Sequence, residues 1–245
     1  MKKILVADKL SKAGTDLLSE SYEVVIKTGL SEDEIIKIIG DFDALLVRSQ
    51  TQVTQQIIDA AKNLKVIGRA GVGIDNIDLD SATEKGIIVV NAPSANTISA
   101  AEHAFGLMLA TARNIPQGNE SLKNGKWERS NLMGLELYGK TLGLVGLGRI
   151  GAEVAKRALA FEMQVLAHDP FVSDDRAKTL GVELVSIEDL FSKSDFISLH
   201  TALVEQTKGI VNKQLLANSK ENLIIINAAR GPLINSKDLI DAIKS

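Results

Sequence analysis

The stretch Thr141-Leu142-Gly143-Leu144-Val145-Gly146-Leu147-Gly148-Arg149-Ile150-Gly151 constrains most strongly what this chain can fold into. An apolar run enters Gly-x-Gly-x-x-Gly, and a helical pattern follows through Ala152, Val154, Ala155, Ala158 and Leu159. Each glycine has its own task. Gly146 permits a tight turn, Gly148 lets backbone approach a pyrophosphate, and Gly151 lets the helix pack closely on the strand. The helix start offers N–H groups and the positive end of its dipole to phosphates. Residues 164–168 read as the next strand, and Asp169 ends it, 18 residues after Gly151. A carboxylate there accepts both ribose hydroxyls of an adenosine and repels a 2′-phosphate, so NAD is favoured over NADP.

The rest of the chain repeats the same grammar. Short β-rich runs at 4–7, 23–26, 44–47, 65–68 and 87–90 alternate with helical patterns at 12–20, 32–39, 55–61 and 80–85. After a long apolar helix at 98–112, strands at 142–145, 165–168, 182–184, 196–200 and 223–227 alternate with helices at 150–161, 174–180, 187–191 and 213–217. A last helix covers 236–243. This alternation predicts an α/β fold of two parallel-sheet domains, 1–97 and 98–245, joined near 95–98. A helix apolar nearly all round is expected to be buried, between sheets or at a subunit interface. A six-stranded dinucleotide fold needs one strand more than the second series supplies, so that domain reads as incomplete.

Bulk properties exclude several partner classes. With 45% hydrophobic and 24% charged residues and a net charge of −3, nothing points to nucleic acid or a membrane surface. The absence of cysteine removes disulfide and thiolate chemistry and suits a reducing cytoplasm. The apolar run after Met1 is too short for a signal peptide and reads as a first strand. No metal site is expected.

Several blocks together carry a family resemblance. They are Val47-Arg48-Ser49-Gln50-Thr51, Gly68-Arg69-Ala70-Gly71-Val72-Gly73-Ile74-Asp75-Asn76, Asn91-Ala92-Pro93, and Asn96-Thr97-Ile98-Ser99-Ala100-Ala101-Glu102. Lys126-Trp127-Glu128-Arg129, the glycine fingerprint, Ser194-Asp195-Phe196-Ile197-Ser198-Leu199-His200 and Asn227-Ala228-Ala229-Arg230-Gly231 complete them. Over its whole length the chain resembles the D-2-hydroxyacid dehydrogenases, most closely their phosphoglycerate branch. The resemblance implies a flavodoxin-like substrate domain and a Rossmann NAD-binding domain. It implies NAD-dependent oxidation of D-3-phosphoglycerate to 3-phosphohydroxypyruvate, the opening step of serine biosynthesis. It also implies a homodimer or homotetramer, and the composition places the chain in the cytoplasm.

The same resemblance assigns roles. Arg230 is the catalytic arginine. Arg48, Ser49, Gly71, Val72, Asn96 and Arg129 are substrate-binding candidates, Arg129 reaching from a neighbouring subunit. Val72, Gly146, Gly148, Arg149, Ile150, Gly151, Asp169, His200, Thr201, Ala202, Ala228 and Arg230 are the cofactor-binding candidates. The physics behind these roles is a cation for a carboxylate and a developing carbonyl, and a proton acceptor for the hydroxyl.

Some positions depart from the family pattern. The family's acid/base histidine and its glutamate lie beyond the arginine, and this chain carries neither. His103 is expected to be a satisfied core histidine, His168 to sit on a strand before Asp169, and His200 to line the cofactor site. Glu162 stands where a glycine is usual, in a turn suited to a left-handed residue. Ala202 replaces a proline after Thr201. Two other readings stay open: a dehydrogenase of another 2-hydroxy acid, such as glycerate or hydroxypyruvate, and a non-catalytic NAD-binding protein.

Overall fold

In the computed structural model, which describes residues 1–244, the chain divides into two compact units, Met1–Asn96 and a second starting at Thr97. The first unit contains β1 (Lys3–Val6), α1 (Lys12–Ser19), β2 (Glu23–Ile26), α2 (Glu32–Ile38) and β3 (Ala44–Val47). It continues with α3 (Gln55–Ala60), β4 (Val66–Arg69), α4 (Leu79–Glu84) and β5 (Ile88–Asn91). The strands form one parallel sheet in the order β2-β1-β3-β4-β5. Consecutive strands lie to either side of β1, so the chain reverses direction across the sheet between β1 and β3.

Local chemistry explains these elements. α2 opens with a capping box in which Ser31 and Glu34 satisfy each other's backbone N–H. The Thr54 and Asp78 side chains accept first-turn N–H bonds of α3 and α4. In-register Leu5, Leu45 and Ile67 are fully buried on one sheet face, against Ile35, Ile39, Ile57 and Ile58 from the covering helices. Each such side chain contributes roughly 1.5–3 kcal/mol of burial.

The second unit begins with α5 (Thr97–Ala112), α6 (Ile115–Lys123) and a 3₁₀ turn at Arg129–Leu132. Next come β6 (Thr141–Val145), α7 (Arg149–Ala160), β7 (Gln164–His168), α8 (Asp174–Thr179), β8 (Glu183–Leu184) and α9 (Ile187–Lys193). β9 (Phe196–Leu199), α10 (Lys213–Ala217), β10 (Ile224–Asn227) and α11 (Ser236–Lys244) complete it. Its parallel sheet runs β10-β9-β6-β7-β8, with the reversal between β6 and β9. One face packs on Ala101, Phe105, Met108, Val154, Ala155 and Ala158 of α5 and α7. The other packs on Leu190, Phe191 and Leu215 of α9 and α10. Among the described residues this sheet has five strands, as the sequence count had it.

The structure resolves which side of α5 is buried within the chain, corrects the reading of His103, and adds a helix, α6. α5 buries a stripe, Ala101, Ala104, Phe105, Met108 and Ala112, while Ile98, Glu102, His103, Gly106 and Leu107 are exposed in the chain. That stripe packs on α7 and the sheet, and the opposite face is left for the expected subunit interface. His103 therefore lies on the open face and is not a core histidine. α6, which periodicity did not reveal, contains Pro116 and Gly118 and buries only Ser121.

Candidate active site

Both sheets bring their candidate residues to the carboxyl ends of strands, where open α/β sheets bind ligands at the point of reversal. In the second unit, β6 leads into Gly146, whose φ of +97° favours glycine. A Cβ at Gly146 would lie 2.9 Å from the Thr201 nitrogen, just beyond β9. A Cβ at Gly151 would lie 2.2 Å from the Gly146 carbonyl oxygen. The fold itself therefore requires these two glycines.

Gly148 is different. Its φ is −71°, and a Cβ there would meet nothing within 4 Å. Among the described residues nothing explains a glycine at this exposed position, whereas a ligand resting on the backbone would. Gly148 is also the N-cap of α7, with no side chain capping the helix. α3, α4, α8, α9 and α10 are capped instead by Thr54, Asp78, Ser173, Ser186 and Asn212. The first turn at Arg149, Ile150 and Gly151 thus offers N–H groups and a dipole to an anion.

Asp169 stands at the end of β7 beside this loop. One carboxylate oxygen accepts the Leu147 N–H at 2.8 Å, and the other accepts the Phe171 N–H at 2.9 Å. The side chain is thereby oriented and remains partly exposed. A bare cradle for phosphates with a fixed carboxylate for a ribose fits an adenine dinucleotide lacking a 2′-phosphate.

On the same sheet edge, the Asn227 side chain shapes the turn that carries Arg230. Its Oδ1 accepts the Ala229 N–H at 3.1 Å, and its Nδ2 donates to the Arg230 carbonyl at 2.9 Å. The Arg230 guanidinium is partly buried and donates to the Ala229 carbonyl at 2.9 Å. Ala228 is exposed at the end of β10. At the end of β9, the partly buried His200 ring pairs through Nε2 with the Ser198 hydroxyl at 2.8 Å. Burial pushes its pKa down to about 4, so it is neutral at pH 7. Thr201 is partly buried and Ala202 exposed beside it. The His168 ring is turned toward the Val185 carbonyl at 3.2 Å.

The first unit gathers the other candidates. Arg48 and Ser49 follow β3 and are exposed. Gly71 and Val72 follow β4, and Asn96 closes the unit in an exposed position. The Gly71 N–H is already donated to the Arg69 carbonyl at 2.8 Å, and the Val72 carbonyl accepts from Asn91 Nδ2 at 2.6 Å. Arg129 lies in the second unit, exposed on its 3₁₀ turn. The preceding loop is tied down by Ser121, whose hydroxyl reaches the Glu128 carboxylate at 2.9 Å. Two residues here were given no role by the sequence reading: Asp8, directly after β1, and Asn76. Asp8 could have been noticed because it is an acid ending an apolar central strand.

Residues 105–245 match the family model for the D-isomer specific 2-hydroxyacid dehydrogenase NAD binding domain. The chain belongs to that family. It is 52% identical over 244 residues to a D-3-phosphoglycerate dehydrogenase of Archaeoglobus fulgidus, covering 99% of this chain and 46% of that protein. It is 53% identical over 245 residues to one of Methanocaldococcus jannaschii, covering 100% of this chain and 47% of that protein. The chain thus spans about half the length of these curated relatives.

Among solved structures, it resembles Aquifex aeolicus D-lactate dehydrogenase, complexed with NAD and lactic acid. The TM-score is 0.89 at 27% identity, over 99% of this chain and 73% of that one. It also resembles the apo form of Escherichia coli D-lactate dehydrogenase, with a TM-score of 0.83 at 30% identity, over 100% of this chain and 78% of that one. The glycine cradle and Asp169 lie within this NAD-binding domain of the family, and the α/β architecture of two parallel sheets is that of its solved members.

Proposed function

We propose that this chain supplies the substrate- and cofactor-binding parts of an NAD-dependent D-3-phosphoglycerate dehydrogenase. The observation that carries the reading is a positioned guanidinium, Arg230, on the same sheet edge as a dinucleotide cradle. In this reading residues 1–97 are the substrate domain and 98–245 the NAD-binding domain. Gly146, Gly148 and the first turn of α7 hold the pyrophosphate, and Asp169 holds the adenosine ribose. His200, Thr201, Ala202 and Ala228 line the rest of the cofactor site, and the family resemblance assigns Val72 of the first unit a cofactor contact.

The reaction removes a hydride from C2 and a proton from the hydroxyl it carries. When bound, NAD accepts the hydride from C2. Arg230 pairs with the carboxylate and stabilises charge on the oxygen that becomes the carbonyl. Arg48 and Ser49 bind the phosphate end, and the Val72 backbone and Asn96 hold the carboxylate end. The hydroxyl proton needs an acceptor. Neither His168, turned to a backbone carbonyl, nor His200, with its depressed pKa, suits that task.

We place the protein in the cytoplasm as a homo-oligomer. Support comes from exposed Leu107, Ile115, Trp127, Met133 and Leu135, gathered in one segment of the second unit. Arg129 in the same segment then contributes to a neighbouring subunit's site. Light scattering should show a dimer or larger, and a monomer at micromolar concentration would contradict this.

The substrate reading is tested by calorimetric titration with D-3-phosphoglycerate, D-glycerate and D-lactate in the presence of NADH. The phosphorylated acid should bind at least about tenfold more tightly than glycerate, and Arg48→Ala should abolish that preference. Equal affinity for glycerate would favour a different 2-hydroxy acid. Binding of NADH with none of the three acids would favour a non-catalytic role.

A further inference from the structure

The loop Arg48–Thr51 is held by a two-sided clamp. Buried Asp8, 2% exposed, accepts the Arg48 N–H at 2.5 Å and the Thr51 N–H at 3.2 Å through one carboxylate oxygen. Its other oxygen accepts the Thr51 hydroxyl at 2.8 Å. Buried Asn76, 7% exposed, donates from Nδ2 to the Arg48 carbonyl and the Thr51 carbonyl, each at 2.7 Å. One carboxylate thus takes both N–H groups of the loop's two end residues, and one carboxamide serves both carbonyls.

Neither side chain can be exchanged for the other. A carboxylate only accepts, and two N–H groups plus a hydroxyl face Asp8. An amide nitrogen carries two donors, and two carbonyls face Asn76. The partners come from three places along the chain, after β1, after β3 and between β4 and α4, and they meet at the point of reversal between β1 and β3. Between the pinned ends, Ser49 and Gln50 are exposed, and the Arg48 side chain is exposed beside them. A buried ionised group is costly unless fully bonded, so its retention here calls for a return.

We propose that Asp8 and Asn76 are positioning residues for substrate. They hold the Arg48–Thr51 backbone so that the Arg48 guanidinium and Ser49 hydroxyl are presented as a preformed anion site for the phosphate of the acid. This rests on the reading of Arg48 as a substrate contact. Neither residue touches substrate; each acts by removing the ordering cost that a free loop would incur on binding.

The test uses the 245-residue chain with NADH present. D-3-Phosphoglycerate affinity and amide hydrogen exchange at Arg48 and Thr51 are measured for Asp8→Asn, Asn76→Asp, Thr51→Val and Arg48→Ala. Asp8→Asn and Asn76→Asp should each weaken the acid about tenfold and Thr51→Val a few-fold. All three should speed exchange at the loop ends, while NADH affinity stays within twofold. In an Arg48→Ala background Asp8→Asn should have a smaller effect on affinity than in the parent chain, limited to the Ser49 contact. Thr51→Val keeps the carboxylate and the backbone, so it reports even if Asp8→Asn does not fold. Faster exchange with unchanged acid affinity, in a protein where Arg48→Ala does weaken binding, would overturn the proposal alone. Unchanged affinity in Arg48→Ala itself would overturn the substrate reading and the proposal with it.

Discussion

Glu162 shows how a single backbone angle can be read from a sequence and then weighed. It adopts φ +59° directly after the C-cap of α7. The corresponding turns after α4, α6 and α8 use Gly86, Gly125 and Gly181, with φ of +66°, +71° and +73°. A left-handed conformation costs a non-glycine residue roughly 1–2 kcal/mol. Glu162→Gly should therefore raise stability by about 1 kcal/mol, read from urea unfolding. Unchanged or lowered stability would show that the Glu162 side chain compensates the strain. The glycines of the fingerprint divide by the same kind of argument. Gly151→Ala places a methyl inside the Gly146 carbonyl and should lower both stability and NAD affinity. Gly148→Ser has room, and its hydroxyl could cap α7. It should leave thermal stability equal or higher while weakening NAD about tenfold or more. Parallel losses of stability and affinity would contradict a ligand-driven glycine.

At the scale of elements, legibility followed the strength of the local pattern. The helices at 32–39 and 55–61 were readable because Ser31 and Thr54 sit ahead of periodic apolar residues, and both ended within one residue of the observed bounds. The glycine fingerprint, with strand, helix and acid in fixed order, located the cradle. α6 was not legible: it buries only Ser121, so no run of buried apolar residues marks it in the sequence. The buried stripe of α5 was not legible for a related reason, since composition records how apolar a helix is but not which side meets a neighbour within the chain. Asp8 and Asn76 escaped because their partners are long-range, 43 and 25 residues away at Thr51. A spacing rule sees residues within one element, whereas this clamp exists only once three segments have converged. Caps are simpler: Ser186→Ala, removing the acceptor of the Asp189 N–H, should cost about 1 kcal/mol of stability. No measurable change in the unfolding midpoint would show that α9 is held by packing alone.

For the whole molecule, acid response follows from a few titratable groups in the second unit. His200 titrates near 4 when folded and at its ordinary 6.5 when unfolded. The unfolded chain thus binds the extra proton first, and stability falls as pH drops from about 6.5 toward 4. The loss amounts to at most about 3 kcal/mol. The Asp195 carboxyl is raised by burial, but the Lys220 ammonium and the Thr141 N–H outweigh this and hold it below 3.8. Its contribution is complete above that value and is lost as pH falls further, outside the histidine window. Unfolding midpoints measured between pH 7 and pH 4 should decline, and His200→Asn should flatten that decline. An unaltered slope in the variant would assign the acid sensitivity elsewhere.

In the proposed reading the cradle at Gly146–Gly151, together with Asp169, takes NAD and not NADP. The most direct measurement is a pair of calorimetric titrations of the chain with NAD and with NADP. NAD should bind at least about tenfold more tightly, with the preference lost in Asp169→Ala. Equal affinity for the two, or a preference that survives in Asp169→Ala, would contradict the account.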